Sequence, residues 1–309
     1  MLQCKGHRRL PFLYNAMHEK YLAGTSSRSR TRKTNMSIIL QHLDRPTIEE
    51  AIEANFNEEM AHLGYGLPQG ELHKTPELLW IYTESRGPNA VLYSRFASED
   101  TSYIDARIDE MQAFFKTRNM DFSWTTGPST RPTDLALMLE THGFVYSDIT
   151  TGMAIDLQAL NEYIFINADL VITEIEDLET LKILRSIEIS GFGASEMAAQ
   201  NYYDSYTHIG FGNGMPWHHY IGWLHEEPVA IASLLFYAGV AGIYGIATIP
   251  QRRRQGVGAA MTLHALHEAI KRGYRIAVLS PTEMSYALYR RIGFQEYCKL
   301  IHYEWSAEI

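Results

Sequence analysis

Chemistry in this chain of 309 residues concentrates in one turn, Thr248-Ile249-Pro250-Gln251-Arg252-Arg253-Arg254-Gln255-Gly256-Val257-Gly258-Ala259. Before it, Ile243, Ile246 and Ala247 form an apolar run that reads as a buried strand. After it, Ala259, Leu263, Leu266 and Ile270 recur at helical spacing. A strand that passes through such a turn into a helix leaves several N–H groups unpaired and aimed at one spot, and the helix dipole adds partial positive charge. Glycine at 256 and 258 removes the Cβ atoms that would hold a large anion off the backbone. The predicted chemistry is the binding of a phosphate or pyrophosphate. The turn has neither the Lys-Ser/Thr pair that ends a P-loop nor the spaced triple glycine of a dinucleotide site.

Arg253-x-x-Gly256-x-Gly258 resembles the acyl-CoA signature of the GNAT superfamily of N-acetyltransferases. Tyr289-Arg290-Arg291-Ile292-Gly293-Phe294 is similar to the Tyr-x-x-x-Gly-Phe that closes the same domain, and Pro250 stands where these enzymes often carry Val-x-Pro. The resemblance covers roughly residues 170 to 305. It implies that the N–H groups of Arg254, Gln255, Gly256, Val257, Gly258 and Ala259 cradle the pyrophosphate of acetyl-CoA, with charge from Arg252, Arg253 and Arg254. The strand through Ile246, Ala247 and Thr248 would bond the pantetheine arm like an added strand and polarise the thioester carbonyl. The implied reaction is direct acetyl transfer to an amine, with no metal and no covalent enzyme intermediate. Tyr289 then protonates the departing thiolate, since a tyrosine keeps its proton at neutral pH; the alternative is a tyrosine packed under the CoA arm. Relatives often carry an Asn seven residues before this tyrosine, where this chain has Thr282, with Ser280 as a second hydroxyl.

No acid lies on the strand before the turn, so the candidate bases are His218, His219, Glu188 and Glu196. His264 and His267 lack a third metal ligand and read as surface residues. The aromatic stretch Tyr202–Trp217 suits an acceptor pocket that stacks on a ring or encloses an alkylammonium group. A non-catalytic acyl-CoA sensor, favoured by the missing base, and a protein-interaction module are the competing readings.

The elements that must position these residues divide the chain in two. Leu135–Phe144 and Ala287–Phe294 both read as helix, then Gly-Phe, then strand, with Gly143 and Gly293 in matching places. Leu139 replaces Tyr289 in the first copy, and no Gly-x-Gly turn precedes its helix over residues 103–117. The expectation is an α+β protein with two GNAT-like domains, each a mixed, mostly antiparallel sheet flanked by helices. Residues 1–35 are a disordered basic leader, 36–157 a degenerate copy, 158–168 a linker and 169–309 the acetyl-CoA-binding domain. Other expected elements are a strand over 37–43, a capping box at Thr47–Glu50 and a loop at 64–68. Residues 191–217 are expected as a glycine- and aromatic-rich loop.

Composition is that of a soluble globular chain, 46% hydrophobic and 20% charged. The net charge of −9 includes about +7 in the leader, which leaves the body near −16, the difference of the two. An acidic body disfavours nucleic acid and suits an amine-bearing acceptor, small molecule or peptide. No apolar run is long enough to span a membrane. Two distant cysteines, Cys4 and Cys298, give no disulfide framework, so a cytoplasmic location is expected.

Overall fold

A computed structural model describes residues 39–307 apart from residues 43 and 85; the expected leader lies outside the described residues. The first long element is α1 (Arg45–Gly66). It starts ahead of the expected capping box, because the Asp44 carboxylate accepts from the Thr47 N–H at 3.1 Å and Pro46 fits the first turn. It continues through Gly66, into residues expected as loop. Residues 39–42 form no strand; instead the Leu40 N–H donates to the Gly239 carbonyl at 3.0 Å.

The first half continues with β1 (Glu71–Lys74), β2 (Leu78–Tyr82), β3 (Ala90–Ser94), α2 (Thr101–Lys116), β4 (Phe122–Thr126), α3 (Leu135–Thr141) and β5 (Val145–Asp156). The second half contains β6 (Val171–Glu174), α4 (Leu178–Phe192), α5 (Glu196–Ile209), β7 (Trp217–Leu224), β8 (Glu227–Tyr237) and β9 (Val240–Thr248). It ends with α6 (Val257–Lys271), β10 (Ile276–Leu279), α7 (Glu283–Ile292) and β11 (Gln295–Trp305). Local chemistry explains the boundaries. Asp177 caps α4 by accepting from the Thr180 N–H at 2.8 Å, and Gly143 and Gly293 stop α3 and α7 with φ of 83° and 122°. Helix α5 occupies the expected aromatic loop. Ser195 caps it through the Ala198 N–H, and Ala199, Tyr202 and Tyr206 follow at helical spacing.

The described strands form one sheet in the order β1-β2-β3-β4-β11-β5-β10-β9-β8-β7-β6. Only β3–β4 and β9–β10 are parallel neighbours; the other pairs are antiparallel. Element for element, β1-β2-β3-α2-β4-α3-β5 repeats as β7-β8-β9-α6-β10-α7-β11. The final strands are exchanged: β5 pairs with β10, Ala154 opposite Val278, and β11 pairs with β4, Tyr303 opposite Trp124. The two exchanged strands also pair with each other from Val145 opposite Glu304 to Ala154 opposite Gln295.

Strand periodicity sorts the side chains into two layers. Ile231, Leu235 and Tyr244 face the layer of α1, α4 and α5, while Ala232, Leu234 and Ile243 face α6 and α7. Helices α2 and α3 pack on that second face beneath the first half. Among the described residues no helix is long and apolar enough to cross a membrane.

Candidate active site

Strands β9 and β10 start side by side, Ala241 opposite Ala277 and Gly242 opposite Val278, and their pairing ends there. β9 then bulges: Ser233 of β8 faces Tyr244, Ile231 faces Ala247, and Gly245 between them adopts φ of 58°. The edge of β9 that carries Ile246, Ala247 and Thr248 therefore turns no ladder toward β10, and a wedge opens between two parallel strands. Asn55 of α1 pins its vertex. Its Nδ2 donates to the carbonyls of Leu235 (3.3 Å) and Tyr237 (3.0 Å), and its Oδ1 accepts from the Tyr244 hydroxyl at 2.6 Å. Only a glycine at 242 leaves space for that Oδ1. Sequence analysis did not find Asn55, since a helical asparagine carries no local sign of a partner some 180 residues away.

Beyond Thr248 the chain makes a short 3-10 turn at Pro250–Arg252, and both Arg254 (φ 62°) and Gly256 (φ 77°) are left-handed. Helix α6 then begins at Val257, and among the described residues no side chain caps it. Its first N–H groups are left for a ligand. The two glycines differ. A Cβ on Gly258 would meet only Thr248 Oγ1, at 3.8 Å, so the space before it is open. A Cβ on Gly256 would meet the backbone of Ile166 and Asn167 at 2.7 Å, and the Asn167 N–H donates to the Gly256 carbonyl at 3.3 Å. The expectation that Gly256 clears space for an anion is corrected: the connecting segment fills that space.

The arginines also separate. Arg253 donates to the Thr248 carbonyl (3.2 Å) and the Gly191 carbonyl (2.6 Å), which ties the end of β9 to α4. Arg252 lies 3.3 Å from Glu227. Arg254 is exposed and pairs with no acid among the described residues. Gln255, also exposed, donates to the Gln251 carbonyl, while Val257 and Ala259 are buried and anchor α6.

Tyr289 lies on α7 and is 7% exposed. Its hydroxyl meets the side chains of Ser285 and Thr262, and burial pushes its pKa up to about 12. It therefore holds its proton throughout the neutral range. Thr282 serves as the N-cap of α7, accepting from the Ser285 N–H while its own N–H donates to Ser285 Oγ at 2.9 Å. That hydroxyl is occupied by the helix start.

The candidate bases scatter. His218 contacts Glu174 at 2.5 Å beside Arg272. His219 is fully buried, its Nδ1 lies 2.7 Å from Ser233 Oγ, and burial pulls its pKa down to about 3. Glu196 faces Arg185 at the protein surface. Glu188 points inward, and burial raises its pKa to about 8, helped by repulsion from Glu59. On α6, His264 packs edge-on to Tyr220 and His267 lies 2.8 Å from Glu162. No group of three or more metal-binding side chains occurs among the described residues.

The matching place in the first half is built differently. There the chain after β4 returns to β3: the Arg131 N–H donates to the Ser94 carbonyl (3.2 Å) and the Phe96 N–H to the Arg131 carbonyl (3.0 Å). Glu53 of α1 accepts from the Ser129 N–H at 2.8 Å and from the Ser129 hydroxyl at 2.5 Å, which fastens the returning chain. Asp100 caps α2 through the Ser102 N–H, with Glu99 beside it. Acids stand at the start of α2, where α6 has Gln255 and Gly256.

Residues 181–294 match the Acetyltransferase (GNAT) family. No curated protein matches the chain. Among solved structures, a GCN5-related N-acetyltransferase from Kribbella flavida is 18% identical, with a TM-score of 0.61 over 79% of this chain and 93% of that one. A tandem GNAT protein from the clavulanic acid biosynthesis pathway is 12% identical, with a TM-score of 0.61 over 78% of this chain and 85% of that one. A GCN5-related N-acetyltransferase from Sphaerobacter thermophilus is 13% identical, with a TM-score of 0.58 over 77% and 76%. These likenesses establish the mixed, mostly antiparallel α+β fold, and they span both halves.

Proposed function

We propose that the second half is an acetyl-CoA-dependent N-acetyltransferase and that the first half is a copy without an acyl-CoA site. The observation that carries this reading is the start of α6 at the mouth of the β9–β10 wedge, with open space at Gly258 and, among the described residues, no capping side chain and no acid paired with Arg254. A pyrophosphate suits those N–H groups and that charge, and an extended pantetheine suits the unladdered edge of Ile246–Thr248. The Acetyltransferase (GNAT) match over residues 181–294 supports the same donor. In the first half, the backbone bonds at Arg131 and the acids at Glu99 and Asp100 oppose an anionic ligand at the equivalent place.

In the proposed reaction the lone pair of a neutral amine attacks the thioester carbonyl carbon, the C–S bond breaks, the departing thiolate takes the Tyr289 proton, and the proton shed by the new amide nitrogen passes to solvent, from which the Tyr289 phenolate is reprotonated. The raised pKa of that hydroxyl keeps the proton available at any neutral pH. β9 N–H groups facing the wedge would stabilise the oxyanion. The test incubates the purified chain with acetyl-CoA and a panel of amines and follows free thiol, with calorimetry of CoA alongside. CoA binding with amine-dependent thiol release is expected. Tyr289→Phe should bind CoA normally and release thiol about 100-fold more slowly. Binding without release for any amine would leave a sensor, and no CoA binding would end the acetyltransferase reading.

A further inference from the structure

On the sheet face opposite α6, helices α1, α4 and α5 enclose a set of polar side chains without enough partners. Glu59 of α1 is 5% exposed and His62, one turn on, is fully buried. Among the described residues, Glu59 Oε2, Glu188 Oε2, His219 Nε2 and Trp217 Nε1 have no hydrogen-bond partner, while His62 reaches only the backbone of Glu58 and Glu59 on its own helix. The surrounding walls are aromatic: His62 stacks on Tyr206 with ring centres 5.2 Å apart, lies 5.2 Å from Trp217 and 5.6 Å from Tyr202. Tyr202 donates its hydroxyl to Glu59 Oε1 at 3.3 Å. Buried polar atoms are almost always satisfied, so this many orphans in one place mark a missing guest. Two carboxyls with aromatic faces, beside imidazoles that burial holds neutral and with no lysine or arginine bonded to either among the described residues, are short of one thing, a positive charge.

This cluster adjoins the wedge. Gly191, one turn past Glu188, packs so closely on Ala247 that a methyl group there would stand 2.9 Å from its Cβ. Tyr244, on the same strand, lies with its ring centre 6.0 Å from that of Trp217. A guest held by Glu188 therefore lies against the strand that would present the thioester. We propose that the acceptor binds here as an organic ammonium ion held between Glu59 and Glu188 and gives one proton to one of these carboxylates before its nitrogen attacks, so that α1 of the first half supplies part of the second half's acceptor site.

This assignment rests on the acetyltransferase reading, and it names the acceptor class and the residues that select it. Glu59 and His62 are the specificity-determining positions, because they lie in the half that lacks a donor site. Burial pushes the pKa of both carboxyls up to about 8, as expected for a pair that lacks its cation. A ring-bearing amine fits the walls better than a short polar one, since Tyr202, Tyr206 and Trp217 offer faces for stacking and for the cation.

The test uses phenethylammonium and its neutral analogue phenethyl alcohol in calorimetry with the full chain, plus acetyl-CoA binding as an independent readout. The amine should bind at least tenfold more tightly than the alcohol. Glu59→Gln should weaken amine binding at least tenfold, raise KM more than it lowers kcat, and leave the acetyl-CoA Kd and the melting temperature unchanged. Glu59→Asp should recover part of the amine affinity. Equal binding of amine and alcohol, or unchanged amine binding in Glu59→Gln, would overturn the assignment. Loss of acetyl-CoA binding in the unaltered chain would instead overturn the underlying acetyltransferase reading.

Discussion

Gly258 and Gly256 look alike in sequence and act on different neighbours. Gly258 has ordinary backbone angles and free space where a side chain would go, so a substitution there tests the ligand rather than the fold. Gly258→Asp puts a carboxylate at the start of α6, where it accepts the free N–H groups and repels an anion. The expected result is a CoA affinity reduced by about tenfold or more, equivalent to about 1.4 kcal/mol, with the melting temperature retained. A Gly258→Asp chain that binds CoA normally would remove this turn from the site. Gly256 is a poor test, because Ile166 and Asn167 occupy the space its side chain would need. The strand, turn and helix over residues 243–270 and the place of Tyr289 on a helix that ends at Gly293 were legible because their residues are close in sequence and their spacing mirrors the local geometry. The distinct tasks of Arg252, Arg253 and Arg254 were not legible, since each depends on a distant carbonyl or acid.

Helix α1 does most of the work that single-sequence patterns conceal. It buries Glu53, Asn55, Asn57, Glu59 and His62 together with Ile52, Phe56 and Met60, so no apolar stripe distinguishes an inner face. Three of these polar residues answer different partners: Glu53 the loop after β4, Asn55 the wedge vertex, Glu59 the Tyr202 hydroxyl. α5 was missed for a related reason, since glycines on either side and a run of aromatics resemble a loop until the caps at Ser195 and Gly210 are seen. The buried acids also set a pH dependence. Glu188 takes its proton at about 8 in the fold and near the ordinary glutamate value of 4.5 when unfolded, so the folded state holds more protons between those values. Stability is therefore full below the unfolded pKa and falls as pH rises toward 8. His62 and His219 act in the other direction: held neutral with pKa near 3, they favour unfolding as pH drops below 6.5. Thermal melts should show a midpoint that declines between about pH 6.5 and 8, and Glu188→Gln should flatten that decline. A wild-type midpoint that rises over the same range would contradict the burial of these carboxyls.

The whole molecule is one sheet in which two similar units have traded their last strands. The paired repeats were legible from the Gly-Phe helix ends, because Gly143 and Gly293 mark the same stop in each. The exchange was not, because β5 and β11 fit either site by length and pattern, and sequence alone does not say which edge each one joins. The segment between the halves is exposed at Tyr163 (99%) and Phe165 (77%). Chymotrypsin should cut there first under native conditions, and the two fragments should then co-elute in gel filtration until denaturant is added. Separation without denaturant would contradict the exchange. Interlocking of this kind changes what each half is kept for. A unit without a donor site, as proposed for the first half, still supplies a ladder that its neighbour lacks, so deletion is barred even where no reaction remains. Its loops can drift while the seam along Val145–Asp156 and Gln295–Trp305 is held, and any new acceptor preference can be tried out on that side without disturbing the turn proposed to hold the donor.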